Sequence, residues 1–179
     1  MSLLEEKESI SHADYLTTVS PTLSDALKKD YNLEKKPTVL YNTPNHSDFN
    51  SEYDLTIRKR LNLSADIELG VYIGGISELR GLHTLIEAMP LVPNLQVALV
   101  TETKGKYMDS LIESAQKLNC YDRLHILPYV DSTEITSFLQ DATFGIHPMV
   151  RYGNAEVALP NKLFDYIHAK IPVIVSNCT

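Results

Sequence analysis

The sequence has 179 residues, 44% of them hydrophobic and 22% charged, which suits a globular chain long enough to bury one full core and part of a second. Its net charge of −7 argues against nucleic acid as a partner, because phosphate backbones are held by clustered Lys and Arg. Two cysteines, Cys120 and Cys178, make no disulfide framework and point to a reducing cytosol. No apolar run approaches the roughly 20 residues that span a bilayer, and the first residues lack the basic-then-apolar layout of a signal peptide.

In chain order, the pattern predicts a helix over about residues 3–13 and an apolar extended run at 15–19. A helix opened by Ser20-Pro21 then runs to about Tyr31, followed by a strand at 38–41. The turn-rich Asn42-Thr43-Pro44-Asn45 comes next, and a domain boundary is expected there. From residue 68 onward short β-branched runs alternate with stretches of helical period, the mark of repeated strand-helix units and a parallel sheet. The strands are expected at 68–74, 95–101, 123–127, 144–147 and 172–176. Leu82, Leu85, Ile86 and Met89 share one helical face, Leu111, Ile112, Ala115 and Leu118 a second, and Ile135, Phe138 and Leu139 a third. A fourth helix over 160–170 has Pro160 in its first turn and Leu163, Phe164 and Ile167 as its apolar face.

Right-handed crossovers restrict this order to an α/β fold with a doubly wound, Rossmann-like parallel sheet. In strand order 3-2-1-4-5, a ligand crevice lies between the carboxyl ends of the first and fourth strands. Gly74-Gly75-Ile76-Ser77 falls at the first of these ends and His147-Pro148 at the second. Glycines there let backbone approach a ligand, the following helix start favours an anion, and Arg80 suits a bidentate phosphate contact. Two glycines and an arginine make a tight turn and a surface ion pair equally well. The loop is neither a dinucleotide fingerprint nor a P-loop. Leu159-Pro160-Asn161-Lys162-Leu163-Phe164-Asp165-Tyr166 brings free helix amides and the Asp165 carboxylate toward the same crevice; a capped core helix with an acid near its positive end fits the same residues. Six histidines show no metal-ligand spacing, no Asp-x-Asp pair is present, and Lys104 and Lys106 read as solvated charges near the crevice.

Taken together, these segments resemble the large retaining glycosyltransferase family conventionally numbered four, with its two-Rossmann GT-B architecture. Ala13–Ser20 looks like the strand ending the acceptor domain, and Thr38–Pro44 like the interdomain connection. Tyr72-Ile73-Gly74-Gly75 with Arg80-Gly81 and Leu85-Ile86-Glu87-Ala88 is similar to the opening of the donor domain. Leu159–Tyr166 with Ile171–Ser176 is similar to its near-terminal donor motif. The resemblance covers nearly the whole chain. It implies the C-terminal half of a GT-B fold, truncated at both ends: residues 1–41 as the tail of an acceptor domain, 42–67 as the connection and first helix, and 68–179 as an incomplete nucleotide-sugar domain.

Position by position, the resemblance makes Arg80 the catalytic cation on the donor diphosphate. Gly74, Gly75, Tyr129, Val130, Asn161, Lys162 and Asp165 become donor contacts: loop glycines, backbone against the nucleobase, helix amides, and a carboxylate on the ribose. Many members have an arginine where Gly75 stands. The first acid of the family's Glu-x7-Glu motif falls on Val157, with Glu156 one residue out of register. The implied reaction moves a sugar from a nucleotide diphosphate (UDP or GDP) to an acceptor hydroxyl with retention, as a hexosyltransferase in polysaccharide or glycoconjugate synthesis. No metal or cofactor is expected, and the acceptor is a glycan or lipid-linked glycan met through the absent domain. The expected location is cytoplasmic, with peripheral association at the inner membrane face by analogy. This chain alone is expected to bind donor without transferring it. The competing reading is a non-catalytic nucleotide-binding or interaction module of the same fold; a Rossmann oxidoreductase is disfavoured by the missing fingerprint.

Overall fold

The structure, a computed structural model, describes residues 3–43, 55–102, 104–157 and 159–177. The chain opens with α1 (Leu3–Ser11), β1 (Thr17–Thr18), α2 (Pro21–Asp30) and β2 (Thr38–Val39). Strands β1 and β2 pair in parallel, Thr17 with Thr38 and Thr18 with Val39. Ser20 Oγ accepts the Leu23 N–H at 3.1 Å, and Pro21 takes the first helical position, where its missing N–H costs nothing. The extended run expected at 15–19 shrinks to two strand residues, and Tyr15 is 92% exposed rather than packed. Of the expected turn at 42–45, Pro44 and Asn45 lie outside the described residues.

α3 (Ile57–Leu61) begins behind a Thr56 cap and stops at Asn62, whose left-handed backbone turns the chain toward the main sheet. The sheet comprises β3 (Glu68–Ile73), β4 (Leu95–Val100), β5 (Leu124–Leu127), β6 (Phe144–His147) and β7 (Val173–Val175). It is all parallel in the order β5-β4-β3-β6-β7, which is the expected 3-2-1-4-5. The crossover helices are α4 (Leu82–Ala88), α5 (Lys106–Lys117), α6 (Ile135–Leu139) and α7 (Asn161–His168). One face of the sheet packs Tyr72, Val97 and Leu99 against Leu82, Ile86 and Leu111 from α4 and α5. The other packs Leu69, Val71, Ile73 and Val100 against Ile57, Phe138, Leu139 and Tyr166. Strands covered on both faces carry near-continuous apolar runs, so their positions were plain in the sequence.

Two helical faces differ from expectation. Ile167 is 60% exposed, and α7 buries Tyr166, with Leu163 and the C-cap Ala169 packed beside it; the helix runs from Asn161, with Pro160 as its cap rather than a first-turn residue. Leu118 ends α5 exposed, while Met108, Leu111 and Ala115 form the buried stripe.

The pairing of β3 with β6 is short. β3 matches β4 over six residues but β6 only at Gly70–Phe144 and Val71–Gly145. Beyond that rung the strands part, and the Tyr166 hydroxyl fills the gap. It accepts the Ile73 N–H at 3.2 Å and stands 3.2 Å from both the Val71 and the Ile146 carbonyl oxygens, between which it shares its single proton. The ring lies against Gly145, where an added Cβ would meet ring carbons at 2.4–2.6 Å, so only glycine admits it. Burial drives the Tyr166 phenol far above its ordinary pKa, so it stays a donor.

Candidate functional site

The crevice opens where β3 and β6 diverge, at the carboxyl ends of the strands. Gly74 leaves β3 at φ 104°, a conformation that excludes most side chains, while its N–H still reaches the Val100 carbonyl at 3.0 Å. The Tyr72 hydroxyl donates to the Gly75 carbonyl at 2.7 Å and fixes the loop from below. A 3-10 turn at Glu78–Arg80 follows, closed by Arg80 N–H to Ser77 O at 2.9 Å. Gly81 ends it at φ 69° and packs directly on the segment after β6: a Cβ there would stand 1.9 Å from the Pro148 carbonyl oxygen. The Val150 N–H donates to Leu79 O at 3.0 Å, so the Arg80 turn and the 147–150 segment are one docked unit.

From the far side, α7 delivers Lys162. Its Nζ lies 3.9 Å from the centre of the Tyr72 ring and 3.5 Å from where a Gly74 Cβ would be. Tyr72 belongs to the α4/α5 face and α7 to the opposite face, so the Lys162 side chain reaches over the end of the sheet. Among the described residues neither Lys162 nor Arg80 forms an ion pair. Burial and then the Arg80 charge lower Lys162 to a pKa of about 7, against a smaller opposing pull from Asp165. His147, 5% exposed with both ring nitrogens unpartnered, is pushed down to about 4 by burial and by the Lys162 and Arg80 charges. Asp165, one turn into α7, has its pKa raised by burial, with His168 and Lys162 counteracting. Burial lifts the Tyr72 phenol to about 12 although Arg80 pulls it down. Positive charge from Arg80 and Lys162 thus gathers at the strand ends, offset in part by the Asp165 carboxylate.

Of the expected site residues, Gly74, Gly75, Arg80, Lys162 and Asp165 gather around this point, with Asn161 beginning the helix behind it. Tyr129 and Val130 do not join them. They line a separate cavity of about 220 Å³ with Leu55, Arg60, Phe138 and Glu134, beyond the end of β5. β5 stands two strands from β3, about 10 Å at ordinary strand spacing. At the ends of β4 and β5 lies a hollow of about 550 Å³ bounded by Thr101, Glu102, Lys104, Ile126, Leu127 and Pro128. Lys104, which read as a solvated charge, lines it. Glu156 is tied to Arg151 by an ion pair, and the Val157 carbonyl accepts from Ser20 Oγ at 2.9 Å. Sequence reasoning missed the Lys162 ammonium, because only its backbone amide was expected to matter. Among the described residues no His, Cys, Asp and Glu cluster suits a metal ion, and no helix is long and apolar enough to cross a membrane.

Residues 68–179 match the family described as Glycosyl transferases group 1. Among solved structures, the chain is similar to a sucrose-phosphate synthase from Thermosynechococcus elongatus, with 23% identity and a TM-score of 0.78 over 98% of this chain and 43% of that one. It is similar to a glycosyltransferase from Rickettsia africae at 15% identity and a TM-score of 0.76, over 97% of this chain and 48% of that one. Anabaena Alr3699/HepE, solved in complex with UDP and glucose, matches at 15% identity and a TM-score of 0.76, over 99% of this chain and 49% of that one. At these identities the likeness is one of fold, and the chain spans less than half the length of each. No curated protein sequence matches it.

Proposed function

The chain belongs to the group 1 glycosyl transferases, and on that premise we propose that its crevice binds a nucleotide-diphosphate sugar for transfer to an acceptor hydroxyl. The observation that carries this reading is the convergence of Arg80 and Lys162, cations without an ion-pair partner among the described residues, at the divergence of β3 and β6. A diphosphate supplies the two cations with an ion-pair partner that Asp165, though its charge reaches Lys162, does not provide. The UDP seen in the Anabaena relative is a ligand of that class.

In the proposed reaction the bond between the anomeric carbon and the diphosphate oxygen breaks, and negative charge grows on the leaving group. Arg80 and the amides of Asn161 and Lys162 stabilise that charge more than the ground state, which is what lowers a barrier. Gly74 and Gly75 let the loop backbone close on the phosphates, and Asp165 accepts from ribose hydroxyls. The nucleobase lies against the Tyr129 and Val130 backbone, beyond the end of β5. Retention follows if the departing diphosphate takes the acceptor proton on the face it leaves, so the protein's part is positioning. On this reading residues 1–41 close an acceptor domain, 42–67 connect it, and 68–179 hold the donor. The transferred group is a hexose destined for a polysaccharide or glycoconjugate, and the 179-residue chain binds donor without turning it over.

A thermal-shift panel of UDP, GDP, ADP and NAD tests the proposal. Ligand at 100 times its dissociation constant adds about 2.7 kcal/mol, or about 5–10 °C for a chain of this size. Silence toward every nucleoside diphosphate would favour a non-catalytic interaction module, and a response to NAD alone would favour an oxidoreductase.

A further inference from the structure

The Lys162 side chain holds a place that packing alone does not explain. An amine carried over the end of the sheet onto an aromatic face, beside a loop glycine and in the field of a second cation, is a costly arrangement for a lysine that forms no ion pair among the described residues. Gly75, the next loop residue, is exposed and, unlike Gly74, is not held at positive φ. We infer that the Lys162 ε-ammonium, brought from α7 across the crevice and seated on the Tyr72 ring, is a second diphosphate cation that opposes Arg80. Donor binding then bridges the β3 loop and α7 and loads a proton onto Lys162. This rests on the nucleotide-diphosphate reading above and adds to it the side chain that grips the phosphate and the proton that accompanies binding.

The groups facing Lys162 are Tyr72 from β3, Arg80 from the turn before α4, His147 from β6 and Asp165 from its own helix. With a pKa of about 7, Lys162 is half neutral in the free crevice near neutral pH, and a bound diphosphate restores its charge. Affinity therefore falls as pH rises above 7. His147 is neutral well below that window, and Tyr72 keeps its proton to about 12.

The test is calorimetric titration of the full 179-residue chain with UDP at pH 7.5 and pH 9. The wild type is expected to weaken about twentyfold across this range. Lys162→Arg carries a charge that does not titrate and should hold its affinity across both pH values. Lys162→Met should bind at least about tenfold more weakly than wild type at pH 7.5 and show no slope. Asp165→Asn should keep the slope, which excludes the carboxyl as its source. If Lys162→Met fails to fold, the wild-type slope and the Lys162→Arg variant decide. A flat wild-type profile, or a folded Lys162→Met variant within twofold of wild type, overturns the inference. No binding of UDP, GDP or ADP by the wild type would instead remove the nucleotide reading beneath it.

Discussion

Replacing Tyr166 by phenylalanine isolates one oxygen atom at the parting of β3 and β6. In parallel β3, the Gly74 N–H points to β4 and reaches Val100 O, so the Ile73 N–H points the other way, where β6 has already diverged. The Tyr166 hydroxyl is its acceptor, at 3.2 Å in a fully buried setting. Tyr166→Phe keeps the ring, its packing on Gly145 and nearly all its buried area, and leaves that N–H orphaned. An unsatisfied buried donor costs about 1–3 kcal/mol. The Val71 and Ile146 carbonyls also lose the proton they share, so a loss of about 2 kcal/mol is expected. That corresponds to about 4–8 °C in Tm for a chain of this length. Urea unfolding should show a lower midpoint with an unchanged slope, because the surface exposed on unfolding is the same. A loss under about 0.5 kcal/mol would refute the argument, since the hydroxyl would then not be the partner that closes this gap.

Three further substitutions read other parts of the site. Gly81→Ala should destabilise by about 3 kcal/mol or more in urea unfolding, because the methyl group meets the Pro148 backbone oxygen and the backbone is left-handed; a cost below about 1 kcal/mol would mean the Arg80 turn is not docked there. Lys170 follows α7 at φ 59°, so Lys170→Gly should raise stability by about 0.5–1 kcal/mol in the same assay, and a loss would contradict it. His147 has a folded pKa of about 4, below its ordinary 6.5, so its neutral ring contributes stability in full above pH 6.5 and loses it as pH falls toward 4. Asp165, raised by burial, acts in the opposite sense. His147→Gln should flatten the decline in Tm between pH 6.5 and 4, and an unchanged decline would show that His147 does not set it.

What the sequence disclosed depended on whether a residue answers to its neighbours along the chain or to something distant. β3 to β7 were legible because strands buried on both faces are written as β-branched runs, and the Gly74 loop because it follows such a run. The core face of α7 was not. Leu163, Phe164 and Ile167 outrank Tyr166 on hydrophobicity, yet the tyrosine is the buried residue, because its hydroxyl finds backbone partners on two strands that no local pattern encodes. Arg58 is a similar case. It stands in the basic stretch Arg58-Lys59-Arg60, and its guanidinium donates to the Asp141, Ser64 and Ile67 carbonyls and to Thr143 Oγ1, pinning α3 against the sheet. The Lys162 side chain was hidden for the same reason, since its seat is a ring 90 positions earlier on the opposite layer.

The wedge and the proposed phosphate grip are also one construction. Lys162 and Tyr166 stand four residues apart on α7, hence one above the other on a single helix face. The tyrosine enters the gap between β3 and β6, and the lysine, one turn nearer the helix start, emerges above it at the mouth of the same gap. The short pairing that opens the crevice is therefore what admits the side chain that orients α7, and α7 in turn sets where the ammonium lies. If so, Tyr166→Phe should weaken UDP binding only as far as α7 moves, while Lys162→Met should weaken it with the helix in place. Hydrogen exchange at the Ile73 amide, read beside UDP affinity in the two variants, separates the effects: faster exchange belongs to Tyr166→Phe, and lost affinity with protected Ile73 to Lys162→Met.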